Sequence, residues 1–521
     1  MNLLKALVTI SGLTLLSRIT GLVRETLIAR AFGSSELTDA FNVAFRIPNL
    51  LRRLFAEGAF SQAFVPILGE FHASRGEAET RELIAAVATV LVLSLLAVCL
   101  LGVIGAPVFV GLIATGFLDA GAPGGGKTFT DAVWMTRLMF PYIGLISLVA
   151  MASGVLNTWK KFALPAFTPT LLNLSFIAAA LWLAPHMDTP VYALAWGVLV
   201  GGVAQFAIQL PALTRIGMLP AISFNLPRAW RHPGVRRVLL QMVPATLAVS
   251  VSQLSLIINT NIASHLLAGS VSWLGYADRL MEFPTALLGV ALGTILLPSL
   301  SKTHAEGNAA GYSAMLDWGL RLTLLLAVPS AAALFLFGAP LTATLFNYGR
   351  FGAIDVEMTR QALMAYGVGL TGLILVKILA PGFYAKKDIR TPVKIGVIVM
   401  IFTQLCNLAV VPFFQHAGLA LSIGLGACLN ALLLFLGLRK RGIYKPEPGW
   451  ARFLLGMAVA VIAMGLLLHW LNGRLDWVAL GQHPWERIGW LTVCVSAAAA
   501  VYFMTLKCVG LDFAVFCKKM A

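Results

Sequence analysis

Arginines and carboxylates set inside apolar stretches are the side chains best placed to do chemistry in this chain. Arg18 and Arg24 lie in the first such stretch, Asp39, Arg52, Arg53 and Glu57 in the second, and Asp278, Arg279 and Glu282 in a later one. An arginine near the middle of a bilayer costs about 2.5–3.5 kcal/mol on insertion scales, so Arg18, Arg24, Arg52 and Arg279, outside obvious local pairs, represent roughly 10 kcal/mol. A hydrated cavity or an anionic ligand would compensate. Arg53 and Glu57 stand four apart on one helical face and are expected to neutralise each other, a structural role. Arg52 points about 100° away from Arg53 and is the better cavity candidate. Asp39 and Asp278 are too few to neutralise four arginines, which leaves a net positive interior. The planar guanidinium fork donates two hydrogen bonds to a phosphate and stays charged when partly desolvated, so a diphosphate fits such a cluster. Gly12 and Gly21 around the first two arginines, and Pro48 before Arg52, would let helices bend, free backbone donors and supply the hinges of a gate. Close helix packing through small residues is the competing reading of those positions.

Other constellations point away from catalysis. No serine sits in a nucleophile elbow, and no close pair of carboxylates suggests general acid and base work. His72, His232 and His304 fall in loops and His265 near a helix end, none at metal-ligand spacing. The six cysteines, Cys99, Cys406, Cys428, Cys494, Cys508 and Cys517, lack close CxxC spacing, so neither disulfide nor metal is expected, and no cofactor is implied. GAPGGGKT at 121–128 matches the phosphate-cradling P-loop pattern. A P-loop needs a strand before it and a helix after it in a soluble α/β domain, whereas this segment joins two apolar helices. It reads as a flexible glycine-rich connector, and no nucleotide is expected.

The elements that position these residues follow from composition. Of 521 residues, 59% are hydrophobic and 12% charged, and mean hydropathy is +0.86. Soluble domains carry roughly twice that charged fraction. Apolar stretches able to cross about 30 Å of hydrocarbon recur throughout, at 4–30, 37–70, 83–113, 132–156, 162–184, 190–214, 238–267, 271–300, 318–345, 358–384, 391–414, 417–438, 451–471 and 485–508. A net charge of +16 could suggest nucleic acid, but there is no soluble basic domain, and Lys and Arg crowd short loops. Loops after even-numbered crossings hold Arg75, Arg81, Lys160, Lys161, Arg215, Arg228, Arg231, Arg236, Arg237, Lys386, Lys387, Arg390, Lys394, Arg439, Lys440, Arg441 and Lys445. Loops after odd-numbered crossings hold little beyond Lys127, Arg350, Arg360 and Arg474. The positive-inside rule therefore places both termini in the cytoplasm. Arg18, Arg24 and Glu25 interrupt the first apolar run, which is read as a retained transmembrane helix rather than a cleaved signal peptide.

An internal repeat is visible. FRIPNLLRRLFAEGAFSQAFVPIL (45–68) aligns with LMEFPTALLGVALGTILLPSL (280–300), pairing Pro48 with Pro284 and Pro66 with Pro298; TWKKFALPAFTP (158–169) echoes YAKKDIRTPVK (384–394). The shift, close to 230 residues, spans six crossings, and an even shift means a parallel repeat about an axis along the membrane normal. The expected fold is all-α, with two six-helix bundles at 1–215 and 238–440 around a central cationic cavity and two further helices at 450–510.

At SRITGLVRE (17–25), DAFNVAFRIPNLLRRLFAEGAFSQAFVPIL (39–68), LNTWKKFALPAFTPTLLN (156–173), SQLSLIINT (252–260), SVSWLGYADRLMEFPTALLGVALGTILLPSLSK (270–302) and LAPGFYAKKDIRTPVKI (379–395) the chain closely resembles the MurJ (MviN) lipid II flippase family. The resemblance covers nearly the whole length. It implies the fold of the multidrug/oligosaccharidyl-lipid/polysaccharide exporter superfamily, with helices 13 and 14 forming a groove for a lipid tail. It implies a bacterial inner-membrane transporter for peptidoglycan synthesis, not an enzyme, moving undecaprenyl-diphosphate-linked MurNAc-pentapeptide-GlcNAc outward by alternating access, with that lipid and the surrounding membrane lipids as its partners. The family's functional positions match here as Arg18, Arg24, Asp39, Arg52, Arg53, Glu57, Ser272, Asp278 and Arg279, while Glu25 stands where the family pattern has aspartate. Substrate contacts are expected at Arg18, Arg24, Arg52, Arg279, Asp39, Ser272 and Asp278, and structural or gating roles at Arg53, Glu57, Gly21 and Pro48. Rival readings are a flippase for another undecaprenyl-diphosphate glycan, a multidrug or cation antiporter, which would need cavity carboxylates, and a membrane enzyme acting on diphosphates.

Overall fold

The computed structural model describes residues 3–52, 60–119, 126–223 and 225–511. Arg53, Glu57, Cys517 and Gly121–Gly125 of the P-loop lookalike lie outside the described residues. Helices fall in each predicted span, and among the described residues nine helical stretches are long and apolar enough to cross a membrane. Where water is absent every backbone N–H and C=O must find a partner within its own segment, which is why chains of this composition become helices. By internal contacts the chain divides into two compact units, Met1–Val271 and Ser272–Ala521.

The first unit comprises α1 (Leu3–Phe32), α2 (Glu36–Leu51), α3 (Ser61–Ser74), α4 (Gly76–Ile104), α5 (Ala106–Ile113), α6 (Lys127–Met139), α7 (Tyr142–Thr158), α8 (Ala163–Ala178), α9 (Tyr192–Ala207), α10 (Leu210–Arg215), α11 (Leu226–Trp230) and α12 (Pro233–Ser264). The repeat assigns α12 to the second bundle, so sequence repeat and packing divide the chain differently at this helix. α1 runs unbroken through Gly12 and Gly21 and stops at Gly33, whose φ of 64° lets its N–H return to the Ala29 carbonyl at 2.9 Å. Ser35 then caps α2 by accepting from the Thr38 N–H. Pro48 has no N–H to give, and α2 ends three residues later, with the Arg52 N–H turned to the carbonyls of Pro48 and Asn49. A core of Phe64, Ile67, Leu68, Leu83, Ile84, Val155 and Leu156 ties α3, α4 and α7 together. α8 meets α9 through glycine: a Cβ at Gly201 would come within 2.7 Å of Leu172.

No strand precedes the glycine-rich connector among the described residues. α5 and a 3₁₀ turn at Thr115–Leu118 lie before it, and left-handed Gly126 (φ 54°) opens α6 after it.

The second unit comprises α13 (Ser270–Pro284, which starts at the boundary), α14 (Ala291–Ala305), α15 (Ala309–Leu336), α16 (Gly338–Phe346), α17 (Ala353–Leu379), α18 (Pro381–Tyr384), α19 (Arg390–Lys440), α20 (Trp450–Asn472) and α21 (Pro484–Cys508). α19 holds two predicted crossings, separated at Gln415, where φ 50° and ψ −130° reverse the chain. Between α13 and α14 the backbone widens into a π-helical stretch, Thr285–Val290, directly after Pro284. α17 packs on α19 with backbone against backbone: a Cβ at Gly369 would lie 2.0 Å from the Gly424 Cα. Small residues let membrane helices approach this closely, and dispersion supplies the attraction that water cannot.

Two polar knots in the second unit hold α20 and α21. At one, buried Asp317 accepts from the Tyr444 hydroxyl at 2.6 Å, the Trp450 indole at 2.8 Å, the Glu447 N–H at 3.2 Å and Arg321 at 2.7 Å. At the other, fully buried Arg487 donates to the side chain and carbonyl of Asn347, both at 3.1 Å, and to the Trp477 carbonyl at 3.3 Å, with its guanidinium over the Tyr348 ring. Carbonyl oxygens and a π face replace the carboxylate that a buried arginine usually needs.

Candidate functional site

α1 and α2 carry the first group of predicted site residues. Arg18 is exposed on α1 and makes no hydrogen bond or ion pair among the described residues. Arg24, six residues on, is 12% exposed and crowded by polar partners. Its guanidinium pairs with Glu25 and donates to Asn173 Oδ1 at 3.0 Å, while the Phe176 ring lies 5.0 Å from the guanidinium carbon. Its Nε is buried with no partner among the described residues. α8 packs beside Gly21, where an added Cβ would stand in ordinary contact with the Asn173 amide at 3.5 Å.

On α2 the polar residues fall on one stripe. Asp39, Asn42, Arg46, Asn49 and Arg52 are spaced by three, four, three and three residues, the repeat that keeps side chains on one helical face. Phe41, Val43, Ala44 and Ile47, off that stripe, are buried, as is Asp39 at its start. Arg52 donates through Nε and Nη2 to Asn49 Oδ1 at 3.1 and 2.8 Å. Asp39, 3% exposed, accepts from the Gly269 N–H at 2.8 Å and so ties the start of α2 to the segment after α12. Arg46 hydrogen-bonds the Thr260 hydroxyl of α12.

In the second unit α13 carries Ser272, buried, Asp278, half-buried, and Arg279, exposed. Arg279 pairs with Glu282 at 2.9 Å, three residues along the same face.

Two of the four arginines expected to lack local pairs therefore have carboxylate partners: Arg24 has Glu25 and Arg279 has Glu282. Adjacent helical residues point about 100° apart, but the long arginine side chain spans that angle, and an i,i+3 spacing places Glu282 under Arg279. The insertion cost shrinks accordingly. Arg46, Asn49 and Asn173 are the residues that charge counting passed over. The three-four stripe on α2 was the available signal for the first two, whereas Asn173 comes from another helix 149 residues away.

Comparison with known proteins decides the family. A family model described as Lipid II flippase MurJ matches residues 28–486. The chain belongs to the lipid II flippase MurJ family. It is 61% identical to the lipid II flippase MurJ of Burkholderia cenocepacia over 516 residues, covering 99% of each chain. It is 40% identical to a probable lipid II flippase MurJ of Vibrio cholerae, covering 98% of this chain and 96% of that one. Among solved structures, a lipid II flippase MurJ in an inward closed conformation matches with TM-score 0.78 at 23% identity, over 96% of this chain and 98% of that one. An inward-facing multidrug resistance MATE family transporter of the MOP superfamily matches with TM-score 0.64 at 16% identity, over 83% and 97%. The fold is the all-helical transporter fold of that superfamily, and the chain is a multi-pass membrane protein of a transporter family.

Proposed function

We propose that this chain carries lipid II, the undecaprenyl-diphosphate-linked peptidoglycan precursor, from the inner to the outer leaflet of the bacterial cytoplasmic membrane by alternating access, with both termini in the cytoplasm. The observation that carries the reading is Arg18, a cation without a protein partner among the described residues inside a predicted membrane span, six residues before Arg24. Such groups are costly in a bilayer unless water or an anion meets them, and a diphosphate supplies charge and acceptors for two forks. Arg18, Arg24 and Arg52 are assigned to the diphosphate, and Arg279 to a similar polar contact with the headgroup. Asp39, through Gly269, and Pro48, through the end of α2, are assigned to the shape of the unit rather than to the ligand; Ser272 and Asp278 remain substrate-side assignments, and Arg53 with Glu57 remains a structural pair. Family membership supports lipid II over another undecaprenyl-diphosphate glycan. A cation antiporter would need available carboxylates, and Glu25 and Asp39 are both engaged.

Depleting the chain from its host tests this. Lipid II should build up on the inner leaflet, shielded from an externally added lipid II-cleaving enzyme; unchanged external accessibility would refute the reading. For topology, cysteines introduced at Gly125 and Asn472 should react with an impermeant reagent outside the cell, and those at Gly234 and Lys386 should not.

A further inference from the structure

We propose that Asn173 is a positioning residue for Arg24, aiming its guanidinium and clamping α1 to α8 at Gly21. The proposal rests on the reading of Arg24 as a diphosphate ligand and extends it to a side chain on another helix.

Asn173 is 7% exposed, and its amide is spent on α1 alone. Oδ1 accepts from Arg24 at 3.0 Å, while Nδ2 donates to the Ser17 carbonyl at 2.9 Å and the Thr20 hydroxyl at 3.2 Å. The Ser17 carbonyl is the one that the Gly21 N–H would address in an α-helix. The Thr20 hydroxyl donates to the carbonyls of Leu16 and Ser17, so side chains share the α1 acceptors around Gly21. The amide lies in van der Waals range of Gly21, 3.5 Å from where a Cβ would stand.

The same face of α8 carries Phe176, three residues on, under the guanidinium. Asn173 thus holds the edge of the fork and Phe176 its face. Glu25 supplies charge but sits on the same helix and moves with it; Asn173 fixes Arg24 relative to a second helix. A neutral acceptor suits this task, because it orients the guanidinium without cancelling the charge a diphosphate needs. One N–H of Nη1 is committed to Asn173 and one of Nη2 to Glu25, while Nε is buried, so the edge that Asn173 occupies sets which remaining Nη donors can meet a ligand.

The test is binding of undecaprenyl diphosphate to the purified full-length chain in detergent. Asn173→Ala should weaken binding about tenfold, as expected for losing one hydrogen bond that orients a charged group. Asn173→Asp keeps the shape and the acceptor, and should weaken binding at least as much, because a second carboxylate then competes with the ligand. Adding Asn173→Ala to Arg24→Ala should cost nothing further. Wild-type affinity in either Asn173 variant would overturn the proposal. So would an undiminished tenfold loss in the Arg24→Ala background, which would make Asn173 merely structural. Wild-type affinity in Arg24→Ala itself would remove the Arg24 reading beneath it.

Discussion

Arg24→Ala should cost both stability and function, and the two losses should be separable by a second change at Glu25. The substitution removes the bond to Asn173, the pair with Glu25 and the contact with Phe176. Hydrogen bonds to charged groups contribute about 1.5–3 kcal/mol each. Glu25 is 16% exposed, so a carboxylate is left largely desolvated without its cation. Breaking a fully buried pair costs about 3–5 kcal/mol, but Glu25 keeps another interaction and some access to water, which puts the expected loss near 3 kcal/mol at the low end of that range. Arg24→Ala with Glu25→Gln removes the stranded charge and should recover about half of it, while flipping stays lost. Thermal unfolding of the purified variants in detergent reads the first quantity, and transport in liposomes the second. A double variant no more stable than Arg24→Ala would show that the ion pair is not what Arg24 contributes to folding.

Three further outcomes follow. Arg18→Ala should express and melt like the wild type yet fail to support growth, and Arg18→Lys should fall between them, because the point charge survives while the bidentate fork is lost; wild-type growth with alanine contradicts this. Gly369→Leu should abolish stable expression, since its Cβ alone would overlap Gly424 at 2.0 Å, whereas Gly396→Ala, with nothing within 4 Å of its Cβ, should be silent; equal melting of the two would refute the backbone packing of α17 on α19. Arg487→Met should destabilise by about 1–3 kcal/mol for each neutral acceptor it leaves buried and unmatched, measured as a lowered melting temperature; an unchanged melt would mean that Asn347 and Trp477 hold α21 without it.

Much of the fold is legible in the sequence because a bilayer tolerates few backbone solutions. Apolar runs placed the helices, and the break between crossings 11 and 12 falls at Gln415 as the run boundaries indicate. The site was less legible. Arg18, Arg24 and Arg52 stood out by the cost of burying charge, but what each touches depends on neighbours that spacing along one helix cannot reveal. Glu282 beneath Arg279 was visible at i,i+3; Asn173 beside Arg24 was not, because packing of α1 on α8 brings it there. Arg487 follows Trp485 and Glu486 and reads as an ordinary charge at a helix start, yet loop carbonyls enclose it.

The most direct test of the central claim uses the purified chain in liposomes loaded with fluorescent lipid II. Wild-type protein should expose the inner-leaflet half of the probe to an external quencher, Arg18→Ala should leave it protected, and a phospholipid probe should be unaffected by either. Exposure of lipid II at the same rate with Arg18→Ala, or no exposure with the wild-type protein, would contradict the account.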